Sequence, residues 1–145
     1  MRSKLINNDS LKTYALILET GEEVVSQLKR FAQENDLSAS RITAIGAFSS
    51  VTLGYFNWSS KEYEPIQIHE QVEVLSLIGD IAMQDGEHAT HIHVVVGKQD
   101  GSAHGGHLLH AYVRPTLEII LDEAPAHLQR AFDPDSGIAL IDLRE

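Results

Sequence analysis

Two hydrophobic periods divide this chain. From Val24 to Ala32 the apolar positions Val24, Val25, Leu28, Phe31 and Ala32 recur at helical spacing, with Gln27, Lys29, Arg30 and Gln33 on the other face. An apolar stripe of that period marks an amphipathic helix, and it predicts one over residues 22–35. Thr20 and Glu23 stand at the spacing of a capping box, and Asn35 is the expected left-handed stop. The stripe is read as core.

Elsewhere the pattern is the alternation, or the short continuous apolar run, of strands. Residues 13–19 (TYALILE) predict a buried strand. Residues 41–58 are rich in β-branched and aromatic side chains, with Gly46 and Gly54 as expected bulges or close approaches. Residues 63–70 carry Pro65, which predicts an edge or irregular strand because proline has no N–H to give to a ladder. Residues 72–83 predict a long strand with Gly79 in its middle. Residues 90–97, 107–113, 116–123 and 137–143 predict further strands, and turns are expected at 84–87 and 133–137. Ala124 to Ala131 is expected to form a short second helix. No repeat, linker or low-complexity run breaks the pattern. It predicts one domain over residues 1–145 with its core at about 13–143, an α+β fold that is mostly antiparallel sheet with one main helix.

Composition narrows the classes of function. The chain has 145 residues, enough for one core, and 43% of them are apolar. No apolar run approaches the ~20 residues that cross a bilayer. Asn7, Asn8 and Asp9 interrupt any leader, so no signal peptide is expected and a cytoplasmic location is. The chain has no cysteine, which removes disulfides, iron–sulfur clusters and thiolate zinc sites together. Eleven basic and 21 acidic residues give a net charge of −10. The cations Lys29, Arg30, Arg41, Lys61, Lys98, Arg114, Arg130 and Arg144 are scattered. Nucleic-acid affinity depends on gathered Lys and Arg, so direct nucleic-acid binding is not expected.

The chemistry is concentrated in residues 88–110, which hold six of the eight histidines. Histidine is the commonest protein metal ligand. On a strand His91 and His93 point the same way, two residue rises apart, while Thr90, Ile92, Val94 and Val96 form the opposite face. Asp100-Gly101 marks a hairpin turn. A simple two-residue turn there would place His107 opposite Val94, facing away from the other two histidines. One extra residue brings His107 opposite His93, and Gly105-Gly106 is where a bulge supplying it is expected. His91, His93 and His107 then form a three-imidazole site. With an open fourth position, that is the donor set of catalytic zinc, or of another divalent transition metal. His104 and His110 lie three residues either side of His107 and on a regular strand face away. His88 lies in or beside the preceding turn, and His69 and His127 are isolated.

Other constellations are sparse. There is no phosphate-binding glycine loop, no HExxH and no nucleophile elbow, so no catalytic residue is assigned. Glu73 and Glu118 lie within apolar strands, with Arg114 and Arg130 as candidate partners; these four are candidates for a pocket or a subunit contact. Trp58 and Tyr63 flank a polar loop and are candidates to line a pocket or a subunit contact.

Gly46-Ala47-Phe48, Val51 to Phe56, Glu73 to Gly79, His91-Ile92-His93, Gly105-Gly106-His107 and Pro115 to Glu118 stand in an order that resembles the plants-and-prokaryotes conserved (PPC) domain, a domain of unknown function. The resemblance runs from about Thr13 to Leu143. It implies a homotrimer. It also implies a fold similar to that of acetolactate decarboxylase, whose zinc is held by three histidines. In plants such domains are joined to an AT-hook and belong to DNA-binding regulators; this sequence has no Arg-Gly-Arg-Pro core. Three functions follow: a trimeric metal-binding domain acting on a small molecule, a non-catalytic assembly module, or a DNA-binding protein. The charge of −10 argues against the last.

Overall fold

In strand β2 (Lys12–Glu19) Tyr14, Leu16 and Leu18 are buried and the residues between them are not. That alternation fixes which face of the sheet meets the helix, because a one-residue slip would turn every side chain over. In the computed structural model, which describes residues 1–8 and 10–143, nine strands form one sheet with one helix packed on it. Arg144 and Asp9, used in the sequence reading, lie outside the described residues.

The elements follow in order. A first strand, β1 (Arg2–Asn8), pairs antiparallel with β2 and was not expected from the pattern. Helix α1 (Val24–Asn35) follows β2. Then come β3 (Ala39–Asn57), β4 (Glu62–Ile68), β5 (Val72–Gln84), β6 (Glu87–Gly97), β7 (Ala103–Glu123), β8 (Gln129–Asp133) and β9 (Ile138–Asp142). All but one of the pairings are antiparallel; β5 and β8 run parallel. β3, β5, β6 and β7 pair in a closed ring, β3 with β5, β5 with β6, β6 with β7 and β7 with β3. β4, the proline-bearing strand, pairs with β3 as expected for an edge, Pro65 lying opposite Gly54.

The apolar stripe of α1 is core, as expected: Val24, Leu28, Phe31 and Ala32 are buried, and Phe31 meets Tyr14 edge-on at 5.3 Å. Its caps differ from the expected ones. Glu23 is itself the N-cap, its carboxylate accepting from the Val25 and Ser26 amides, so the helix begins at Val24. Thr20 instead donates to the Pro115 carbonyl. The left-handed stop is Asp36, one residue beyond Asn35, whose side-chain amide donates to the Phe31 carbonyl within the last turn.

Two further expectations are corrected. Residues 107–113 and 116–123 belong to a single strand, β7, which continues through Pro115 with shifts of register against β3. Residues 124–131 do not form a helix. Their backbone groups are taken by tertiary partners: the Ala124 amide by the Ala39 carbonyl, the Leu128 amide by the Ser38 carbonyl, and the Leu128 carbonyl by the Met83 amide. The segment therefore leads straight into β8. Gly46 stands at a register shift of β3, and any side chain there would collide with the Thr116 carbonyl, so it is both bulge and close approach.

One face of the sheet, with α1, encloses the core, including Phe48, Ile42, Leu77, Ile81, Ile92 and Leu117. The other face leaves Ile45, Leu75, Ile78 and Ile120 exposed.

Candidate metal centre

Local sequence places two of the histidines. Along β6, Ile92, Val94 and Val96 are buried against the core, so His91 and His93 are turned to the opposite face. The third depends on the β6–β7 hairpin. Its loop has three residues, Gln99-Asp100-Gly101, closed by the Lys98 amide donating to the Ser102 carbonyl at 2.9 Å. The Gly101 amide donates to the Lys98 carbonyl, also at 2.9 Å, and Gly101 has φ +81°, which glycine adopts without steric cost. Asp100 braces the loop by accepting from the Ser102 amide and hydroxyl at 2.9 and 2.6 Å.

That loop supplies the extra residue, so His107 pairs with His93. The expected bulge at Gly105-Gly106 is not formed: Val95 faces Gly105 and Val94 faces Gly106 without a shift. Gly106 serves a different need. A Cβ there would lie 2.9 Å from the Gly54 carbonyl oxygen, so the glycine lets β3 and β7 approach beside His107.

One ring nitrogen from each of His91, His93 and His107 lies within 4.8 Å of the other two. His91 Nε2 and His93 Nε2 are 3.1 Å apart. Two zinc–nitrogen bonds at a tetrahedral angle separate their nitrogens by about 3.3 Å. The ring centroids stand 5.0, 5.3 and 5.5 Å apart. His107 Nδ1 is buried without a hydrogen-bond partner among the described residues. Close nitrogens, an orphaned imidazole atom and an all-imidazole donor set suit a borderline-soft divalent ion.

The surroundings of His91 and His107 favour their neutral rings. Burial, then the charges of His91, His93 and Arg130, lower the His107 pKa from 6.5 to about 4. Burial first, then Arg130 and His93, also lower that of His91, against a smaller opposing pull from Asp80. A neutral imidazole keeps the lone pair that a metal needs. Tyr63 stacks on His107 at 4.5 Å and 25°, fixing the ring plane. Asp80 lies opposite His91 across the β5–β6 ladder and forms an ion pair with Arg130. His91 lines two cavities. One of about 210 Å³ is shared with Tyr63, Thr90, His107 and Arg130; one of about 440 Å³ is shared with Arg41, Thr43, Ile78, Asp80 and His93.

The remaining sequence candidates fall elsewhere. Arg130 reaches the cluster, but its partner is Asp80 and neither Glu73 nor Glu118. Glu73 lines a separate cavity with Glu70 and Lys98; Arg114 and Glu118 are exposed on β7. His88 lies in β6, its Nε2 3.9 Å from an Asp36 carboxylate oxygen. His104 is exposed opposite Val96, and His110 is exposed where the β3–β7 register shifts. His127 Nδ1 meets the Ser38 hydroxyl, and His69 Nε2 lies 3.2 Å from Gln67 Oε1. Asp80 escaped the sequence reading; its signal was a carboxylate directly after Gly79 in the middle of an apolar strand.

Fold and site together define a class: a mostly antiparallel β domain carrying an open triad of imidazoles. The pattern of the Plants and Prokaryotes Conserved (PCC) domain matches residues 6–125, and the chain belongs to that family. A plant- and prokaryote-conserved (PPC) protein from Pyrococcus horikoshii has a similar structure, with a TM-score of 0.85 and 30% identity, over 99% of this chain and 96% of that one. A metal-containing protein from Archaeoglobus fulgidus gives a TM-score of 0.83 at 34% identity, over 97% and 98% of the two chains. A protein from Bacteroides thetaiotaomicron, described as a candidate DNA-binding protein, gives 0.87 at 28%, over 97% and 96%. The chain is also 31% identical over 139 residues to the bifunctional protein GlmU of a Synechococcus strain, covering 94% of this chain and 21% of that protein. It thus spans about a fifth of the length of the curated relatives it matches.

Proposed function

We propose that this chain is a metal-binding domain, with His91, His93 and His107 holding zinc or a similar divalent transition metal. The convergence of their ring nitrogens within 4.8 Å carries the reading. Three imidazole ligands leave a fourth position open, and a metal held this way polarises an oxygen ligand or lowers the pKa of a bound water. The protein's own residues do the rest. Tyr63 holds the His107 ring in plane, and the cavities beside His91 admit a small molecule. The relative described as metal-containing supports the same assignment. The test is metal analysis of protein purified without a nickel column. About one ion per chain is expected, and His93→Ala should lose it, since two imidazoles rarely hold zinc. Wild-type protein free of metal, unchanged by the substitution, would overturn the assignment.

A second reading rests on a different observation, the exposed apolar face carrying Ile45, Leu75, Ile78 and Ile120. It holds that the domain is a homotrimeric assembly module without catalysis. It predicts that histidine substitutions leave oligomer mass and all binding unaltered. Direct DNA binding is the weakest reading. Arg41, Lys98 and Arg130 are each paired with a carboxylate, and the chain carries −10.

A further inference from the structure

We propose that the smaller cavity beside the histidine cluster is a receptor for a small carboxylate, anchored by Arg130. This deepens the metal reading: it rests on that reading for the ligand's second contact, and on Arg130 for its first.

Arg130 enters from β8, whose parallel pairing with β5 sets Arg130 opposite Gln84. Its side chain is 6% exposed. One terminal nitrogen, Nη2, donates to Asp80. The other, Nη1, is 3.4 Å from the Ala139 carbonyl, near the limit of a hydrogen bond. Nε is buried with no partner among the described residues. A guanidinium offers five donors in a planar fork, and burying one of them unsatisfied is costly unless something supplies an acceptor. The cavity wall does not supply it: its lining includes Tyr63, Gln84, Thr90, His91 and His107 and no carboxylate. Ala139 itself lines the cavity, so the donor open to a ligand oxygen there is the loosely held Nη1 rather than the enclosed Nε.

Charge and size define the ligand. Asp80 already offsets part of the Arg130 charge, so the remaining donors suit a monoanion better than a dianion. The planar fork matches a carboxylate. A cavity of about 210 Å³ holds roughly seven water volumes of about 30 Å³ each. That is the size of an acid of six or seven non-hydrogen atoms, whose hydroxyl or carbonyl end would lie toward the histidines that share the cavity.

The experiment is calorimetric titration of zinc-loaded and zinc-free protein with lactate, with its neutral analogue lactamide and with sulfate as a dianion. Zinc stoichiometry is measured separately. Lactate is expected to bind at least about tenfold more tightly than either comparison, and Arg130→Gln to lose that preference while keeping its zinc. Asp80→Asn, which removes the competing negative charge, is expected to hold lactate as tightly as wild type or more so, and it keeps the proposal falsifiable if Arg130→Gln fails to fold. Equal binding of lactate and lactamide overturns the proposal. So do unaltered lactate binding in folded Arg130→Gln, weaker lactate binding in Asp80→Asn, and a preference for sulfate. Lactate that depends on Arg130 in protein unable to hold zinc leaves this site standing and removes the metal; bound zinc with lactate indifferent to Arg130 does the reverse.

Discussion

His107 shows how one residue ties stability to chemistry. Its folded pKa of about 4 lies below the ordinary 6.5 because burial and neighbouring positive charge disfavour the imidazolium. Between those two values the unfolded chain binds more protons than the folded one. Stability from this group is therefore complete above about pH 6.5, falls as pH drops toward 4, and changes no further below that. Urea unfolding of metal-free protein across that window should show a lower midpoint at the acid end, and His107→Asn should flatten the dependence. An equally steep loss in the variant would assign the effect to other groups. The same neutrality suits metal binding, because protons compete for the ring only near the acid end of the window. At this scale much was legible in the sequence: strand parity set His91 and His93 on one face, and His107 joined them once one extra residue was allowed in the hairpin. Asp80 and the true partner of Arg130 were not. A two-residue parallel pairing between β5 and β8 joins them across 50 positions, and no local pattern encodes it.

Among the elements, the β6–β7 hairpin decides whether the third histidine arrives. Parity demanded one residue more than a two-residue turn provides. The sequence cannot say where it sits, because Asp100-Gly101 suits a two-residue turn and also the end of a three-residue one. The structure places it in the loop, with Gly101 left-handed, and leaves the paired glycines straight. Deleting Ala103, which keeps the loop closed at Lys98 and Ser102 but shifts every later pair by one, should therefore set His107 opposite Val94 and weaken zinc binding at least about tenfold. Gly105→Ala, whose Cβ would stand 3.3 Å from the Val94 carbonyl, should keep the ion, because no bulge depends on it. Zinc titration of both variants separates the two accounts; loss in Gly105→Ala with retention in the deletion would restore the bulge. The helix and the turn at Asp85-Gly86 were readable because each rests on contacts within a few residues, and the edge strand because Pro65 has no N–H to give to a second neighbour. The single long β7 and the strand at 129–133 were not, because β3 and β5 dictate them from far along the chain.

At the scale of the whole molecule the sheet has two apolar faces and one helix to cover them. The inner face is closed by α1, while Ile45 and Ile78 on the outer face remain 61% and 57% exposed. Apolar side chains gathered on a sheet face mark a contact surface more often than a solvated one. The cross-strand register runs from His93 to Ile78, then to Thr43 and Ile120, so this face begins at the histidine cluster itself. A homotrimer meeting here would set a neighbouring subunit beside the metal position and close the cavity shared by His91, His93 and Ile78. Sedimentation should then give a mass three times the 16.0 kDa of one chain. Ile78→Glu should give single chains, because a charge at the centre of an apolar contact is desolvated without a partner. Since Ile78 is exposed within one chain, the variant should keep its fold, with a melting temperature lowered only by the loss of assembly. Wild-type protein sedimenting as one chain, or an Ile78→Glu trimer as stable as wild type, would place the contact elsewhere and leave the metal position open to solvent on that side.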